Sequence, residues 1–201
     1  KREWLLYHLA ITYYRFLFDK PPADEWVSID CETTGLSVQN DEVISIGAVK
    51  IVGNKIMTSD RLELIIKPSG LVSAQSIKIH RLRERDVLHG LEPDEAMKQL
   101  LQFIGSRPLV GYYLEFDVAM LNKTIWRMLG FGLPQPRFEV SSMYYEYKNR
   151  QLPSASRGGD IDLRFTTIMS DLGLPTRMAH DAVNDSIMAA MAFIKLRELL
   201  K

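Results

Sequence analysis

Within Val27 to Leu36, VSIDCETTGL, two carboxylates one residue apart interrupt a run otherwise suited to the inside of a β-sheet. Side chains alternate across a strand, so Asp30 and Glu32 share one face while Ile29 and Cys31 point to the other. Two anions held side by side repel, and each loses hydration on burial. The arrangement is costly unless a cation, a shared proton or water offsets it. The pair therefore suits one of two situations. Either a cation binds there, or the strand end emerges into solvent, since Thr33, Thr34 and Gly35 read as a turn.

The rest of the chain supplies a frame for this strand. Its 201 residues fit one domain, and 46% hydrophobic with 25% charged residues excludes a disordered or low-complexity chain. After Trp26–Cys31, the alternation in EVISIGAVKIV predicts a second strand over Glu42–Val52. Gly53 and Asn54 offer a two-residue turn into a third strand near Lys55–Ile66. PLVGYY reads as a short buried strand. Helices are predicted over PDEAMKQLLQFIGS, FDVAMLNKTIWRMLG, SSMYYEYKNR, DLRFTTIMSDLGL and HDAVNDSIMAAMAFIKLRELL, and short helical segments in SAQSIKIHRLRERDVLHG. QLPSASRGGD is the most loop-like stretch. This pattern implies an α/β domain, with an antiparallel three-strand meander plus parallel strands forming a mixed sheet flanked by helices.

Residues 1–22 read as an amphipathic helix ended by Pro21 and Pro22, followed by a domain over residues 23–201. Glu3, His8 and Arg15 break its apolar face, so neither a signal peptide nor a membrane span is expected, and docking on the domain's own core is. The chain opens on Lys1, which is compatible with a longer parent protein. A single cysteine, Cys31, excludes an internal disulfide and suits a cytoplasmic setting.

Three more acids stand out in the helices. Asp117 follows the strand PLVGYY directly and precedes Val118, Met120 and Leu121; a first-turn acid favoured by the helix dipole is the ordinary explanation. Asp185 lies in AHDAVNDSIMAAMAF, whose alanines and isoleucine imply a largely buried helix, and such a helix rarely keeps a bare carboxylate. Asp181, four residues earlier, reads better as a helix cap, and His180 before it is a candidate proton acceptor. Asp30, Glu32, Asp117 and Asp185 together offer only oxygen ligands, which suits Mg²⁺ or Mn²⁺ and, with two ions, phosphodiester cleavage.

These residues carry a family likeness. DCETTGL, the Phe-Asp that ends GYYLEF-D, and HDAVND, with four residues between His180 and Asp185, resemble the three motifs of the DEDD superfamily of 3′-to-5′ exonucleases. The resemblance is to its histidine branch, which includes the proofreading epsilon subunit of bacterial DNA polymerase III, ribonuclease T and oligoribonuclease. It runs from about Trp26 to the C-terminus. Relatives often read His-Asn-Ala before the Phe-Asp, where this chain has Tyr113, Leu114 and Glu115, and Arg81 follows His80 where a glycine is usual.

The resemblance implies a ribonuclease H-like fold and two Mg²⁺ or Mn²⁺ ions per site. Asp30 would bridge them, Glu32 and Asp185 complete the ligand set of the first ion, Asp117 support the second ion, and His180 act as general base. It further implies that Thr33, Thr34, Gly35 and Leu36 seat the 3′ end, with Phe116 either touching a base or packing in the core. Single-stranded 3′ ends, of DNA in preference to RNA, and a DNA polymerase or another replication or repair protein are the implied partners. An RNA-trimming enzyme and a non-catalytic binding module remain as alternatives.

Lys and Arg together balance Asp and Glu, 25 against 25, so no global basic field draws the chain to a polyanion. Strand binding would rest on local cations: Lys78, Arg81 and Arg83, and Lys148, Arg150, Arg157 and Arg164. Acids interleave with all of these, which favours a solvated mixed face.

Overall fold

The computed structural model describes residues 12–70, 84–153, 158–177 and 181–201. The meander forms as expected: β1 (Glu25–Thr33), β2 (Val43–Val52) and β3 (Lys55–Ile65) are antiparallel neighbours, with Val52 paired to Lys55 across the Gly53–Asn54 turn. Two short strands, β4 (Leu109–Gly111) and β5 (Arg137–Glu139), add on in parallel, giving a five-stranded sheet in the order β3-β2-β1-β4-β5.

Residues directly opposite each other across a ladder share a face. Ser28, Asp30 and Glu32 of β1 lie opposite Val49, Gly47 and Ser45 of β2, with Arg61 and Glu63 of β3 completing two of these rows. Against this face pack α4 (Val140–Gln151), α5 (Phe165–Asp171) and α6 (Ala182–Leu199), in a core that includes Val49, Ile51, Val110, Tyr144, Ile168, Ile187 and Phe193. The opposite face presents Val27, Ile29, Cys31, Ile46, Ala48 and Leu64 to α2 (Pro93–Ile104) and α3 (Leu114–Leu129). A single turn, α1 (Glu84–Val87), precedes α2.

Three differences from the sequence reading have physical causes. β1 runs on through Glu32 to Thr33, so the carboxylate pair lies within the ladder; the register shifts just after Glu32, where pairing jumps from Ser45 to Val43. Such irregularities re-aim side chains beside functional sites. β5 carries no readable alternation because it is three residues long, and it exists through its pairing with β4, Leu109 to Arg137 onward. Within the described part of the N-terminal segment, residues 12–22, the helix is Thr12–Phe18 and has 3₁₀ rather than α geometry. Its aromatic-rich sequence is a poor α-helix former, and in 3₁₀ geometry Tyr14 and Leu17 stack on one side, buried with Phe18 in the second core. Residues 1–11, and the expected short helices between residues 71 and 83, lie outside the described residues. No described helix is long and apolar enough to cross a membrane.

Candidate active site

β1 and α6 together bring three of the expected carboxylates into one place. Asp30 and Glu32 project from β1 towards α6, and Asp185 sits one turn into that helix. One carboxylate oxygen from each lies within 4.8 Å of the others. The approach depends on Gly47, the cross-strand partner of Asp30. A Cβ on Gly47 would stand 2.1 Å from the carbonyl carbon of Ala182 and 2.2 Å from the amide nitrogen of Val183. Without a side chain there, the first turn of α6 can lie directly on the sheet. Asp181 caps the helix, its carboxylate accepting the Asn184 amide at 2.9 Å, as the sequence suggested.

Asp117 arrives from the first turn of α3 and is only 4% exposed. It stands outside that group of three but close enough to Asp30 and Glu32 for their charges to act on one another, held by a hydrogen bond from the Cys31 backbone. Burial first, and then the neighbouring acids, push these groups in one direction. The Asp30 carboxyl is raised well above the usual range by burial and by the charges of Asp117, Asp185 and Glu32. Glu32 is pushed up to about 7 by burial and by Asp185 and Asp181. Burial also raises Asp117, against the pull of the Cys31 amide. A set of acids that resists ionisation until a cation arrives has the donor chemistry of a hard divalent metal site. His180 lies outside the described residues.

The loop after β1 is built around one carboxylate that the sequence reading did not single out. Asp41 accepts the Thr34 hydroxyl at 2.9 Å and the Ser37 amide at 2.8 Å, while Thr33 donates its hydroxyl to the Gly35 carbonyl at 2.7 Å. Thr34 accepts the Glu42 amide, closing the loop on itself. Lys123 of α3 donates to the Asp41 carbonyl at 2.6 Å, tying the loop to the helix that carries Asp117. Leu36 projects from this frame 86% exposed. Phe116 is half-buried on α3.

Glu139 is the second residue the sequence did not reveal. At the end of β5 its carboxylate accepts the amides of Tyr113 at 3.0 Å and Leu114 at 2.8 Å, at the start of α3. It also accepts the amide and hydroxyl of Ser141 at 3.1 and 2.8 Å, at the start of α4. One side chain thus satisfies the open amides of two helix N-termini. Its only local signal is an acid before a helix, which is common on any surface.

Of the expected cations, Lys148 pairs with Asp171, Arg150 with Glu146 and Arg164 with Asp162. Lys78, Arg81, Arg83 and Arg157 lie outside the described residues. Arg61 and Arg177 instead line a cleft of about 390 Å³ that runs between β3 and α6 up to Asp181.

Comparison with known proteins adds sequence and structural relatives. A family profile described as exonuclease matches residues 27–193. The DNA polymerase III PolC-type protein of Thermotoga maritima is 28% identical over 176 residues, which are 88% of this chain and 12% of that protein. The DNA polymerase III subunit epsilon of Aquifex aeolicus is 24% identical over 175 residues, 87% of this chain and 81% of that one. The zinc-bound E. coli ExoI–ssDNA complex superposes with a TM-score of 0.73 at 14% identity, covering 90% of this chain and 41% of that one. The chain thus spans about an eighth of the PolC-type relatives it matches.

Proposed function

The chain belongs to the exonuclease family, and on that premise we propose that it is a metal-dependent 3′-to-5′ exonuclease. It hydrolyses phosphodiester bonds at the 3′ end of single-stranded nucleic acid, DNA in preference to RNA, and releases nucleoside 5′-monophosphates. The observation that carries this reading is the convergence of Asp30, Glu32 and Asp185 within 4.8 Å on one face of the sheet, with buried Asp117 near Asp30 and Glu32.

The donor set is all carboxylate, and it fits Mg²⁺ or Mn²⁺. Glu32 and Asp185 would hold one ion, Asp117 a second, and Asp30 both. Bound there, the two ions supply charge neutralisation at the phosphate and a lowered pKa for water. The chain's own residues do the rest. Thr33, Thr34 and Gly35, braced by Asp41, seat the terminal nucleotide, and exposed Leu36 offers it an apolar contact. Phe116 would touch a base there or pack in the core. His180, five residues before Asp185, accepts the proton of the attacking water; an imidazole with a pKa near 6.5 is suited to this around neutrality. Arg61 and Arg177, which line the cleft that reaches Asp181, would meet phosphates of the strand.

We infer a cytoplasmic setting, with a DNA polymerase or another replication or repair protein as partner. Support comes from the likeness to PolC-type and epsilon proteins, which are named as DNA polymerase III components.

The test is degradation of 5′-labelled single-stranded DNA and RNA of matched sequence, with Mg²⁺, Mn²⁺ or a chelator, beside an Asp185→Ala control. A metal-dependent ladder shortening from the 3′ end, absent in the control and faster on DNA, is the expected result. A faster ladder on RNA would replace DNA as the substrate. No ladder on either polymer would overturn the enzymatic reading.

A further inference from the structure

Tyr113 is held in a backbone conformation that a tyrosine adopts rarely, and its ring is left in the open. Its φ of 54° and ψ of 33° lie in the left-handed region, and it shares a positive φ among described non-glycine residues only with Asp24, a residue type that tolerates it. Despite this strain the side chain is 61% exposed, so it does not anchor a core. Strain at a residue whose ring stays largely exposed near the carboxylate site points to a functional constraint.

The surroundings over-determine the position. The Glu139 carboxylate accepts the Tyr113 and Leu114 amides, fixing the turn into α3. Behind the ring stands Tyr112, its centroid 4.6 Å away in an edge-on arrangement. Tyr112 is itself stacked on Phe165 at 4.4 Å, with their planes 14° apart, and donates its hydroxyl to the Leu163 carbonyl at 2.9 Å. Phe165, Tyr112 and Tyr113 thus form a braced aromatic row that ends at the surface. Asp117 follows Tyr113 by about one helical turn, so the row ends at the rim of the carboxylate site.

Resting on the exonuclease reading, we propose that Tyr113 is a base-stacking platform that receives an unpaired nucleobase of the bound strand near its 3′ end. Every base has a π-face, so such a platform grips a strand without reading its sequence. It also needs no net positive charge, in keeping with a chain of zero formal charge in which Lys148, Arg150 and Arg164 are ion-paired. The rigid brace means that little ordering is required when the base arrives.

The experiment uses oligonucleotides with phosphorothioate linkages at the 3′ end, in Mg²⁺, carrying one abasic nucleotide moved stepwise from that end. Affinity is read by fluorescence anisotropy for wild type, Tyr113→Phe and Tyr113→Asn, and degradation of ordinary oligonucleotides is followed alongside. Wild type is expected to weaken roughly 5- to 100-fold when the abasic nucleotide reaches one position, and Tyr113→Phe to keep that signature. Asparagine tolerates the left-handed conformation, so Tyr113→Asn should melt no lower than wild type. It should nonetheless bind the intact strand more weakly by the same factor and lose the abasic signature. A Tyr113→Asn protein that binds like wild type, while wild type degrades strands, overturns the platform alone. Wild type that degrades nothing in Mg²⁺ or Mn²⁺ overturns the exonuclease reading, and the platform with it.

Discussion

Gly47 and Ala182 are 135 positions apart in the chain, yet a Cβ on the glycine would stand 2.1 Å from the carbonyl carbon of the alanine. This contact sets how closely α6 lies on the sheet, and so where Asp185 stands relative to Asp30. Gly47→Ala forces backbone against methyl, which flexible side-chain motion cannot relieve. We expect a loss of about 1–3 kcal/mol or more of stability. Activity should fall further than the fold does, by two orders of magnitude or more, because small misplacements of catalytic groups are amplified in rate. Thermal melting beside a 3′-end degradation assay checks both; a variant with lowered melting and full activity would refute the positional role.

Asp30 sits among acids that oppose its ionisation: Asp117, Asp185 and Glu32 all raise its carboxyl after burial has done so. Asp30→Asn removes from this cluster an acid whose ionisation its surroundings oppose, at nearly unchanged volume. The variant should lose metal-dependent cleavage by at least about a thousandfold, since the ligand proposed to serve both ions is gone. In a chelator it should melt higher than wild type, because the repulsion is relieved. Activity at functional sites is often held at the expense of stability in this way. Calorimetry in the presence of a chelator decides: an Asn variant that melts lower would show the metal-free cluster to be compensated already.

Glu32 gives the pH dependence. Its carboxyl is raised from 4.5 to about 7, chiefly by burial and then by Asp185 and Asp181. Between those values the folded protein retains a proton that the unfolded chain has released. The metal-free fold therefore loses stability through this group as pH rises from about 4.5 to 7, and Asp30 and Asp117 act in the same sense. In a chelator, Glu32→Gln and wild type should melt alike near pH 4.5, with the variant increasingly the more stable up to pH 8. Adding Mg²⁺ or Mn²⁺ should stabilise wild type more at pH 8 than at pH 5, with proton release on binding. A difference in melting temperature that stays flat across this range would show that Glu32 titrates normally.

The parts of this site written in local pattern were legible in the sequence. Alternation placed Asp30 and Glu32 on one face, and the alanine-rich surroundings of Asp185 marked it as an acid in a buried helix; both are reproduced in the fold. What escaped were relationships between distant segments. Gly47 reads locally as a weak point in a strand, and only the docking of α6 gives it meaning. Asp41 looks like a solvated loop acid until Thr34 and Ser37 close on it. Tyr113 shows no sign of its left-handed backbone, because that conformation is imposed by Glu139 from another strand. β5 is too short for any periodicity to exist.

Glu139 joins the starts of α3 and α4, and two opposed effects follow from neutralising it. Its charge raises the Asp117 carboxyl, so Glu139→Gln would ease ionisation of that group. Against this, the carboxylate accepts four hydrogen bonds from Tyr113, Leu114 and Ser141 through two oxygens, and glutamine offers one oxygen and an amide that confronts donors with a donor. Hydrogen bonds to a charged partner contribute about 1.5–3 kcal/mol each, and donors left unmet are costly. The loss of bonds should win, lowering stability by about 1–3 kcal/mol and loosening the first turn of α3 that aims Asp117. The Mg²⁺ concentration for half-maximal cleavage should then rise several-fold, while the 3′-end specificity proposed for the Thr33–Leu36 loop stays unchanged. Metal titrations of activity beside thermal melting make the distinction: a fall in melting temperature with the same Mg²⁺ requirement would confine Glu139 to holding the fold.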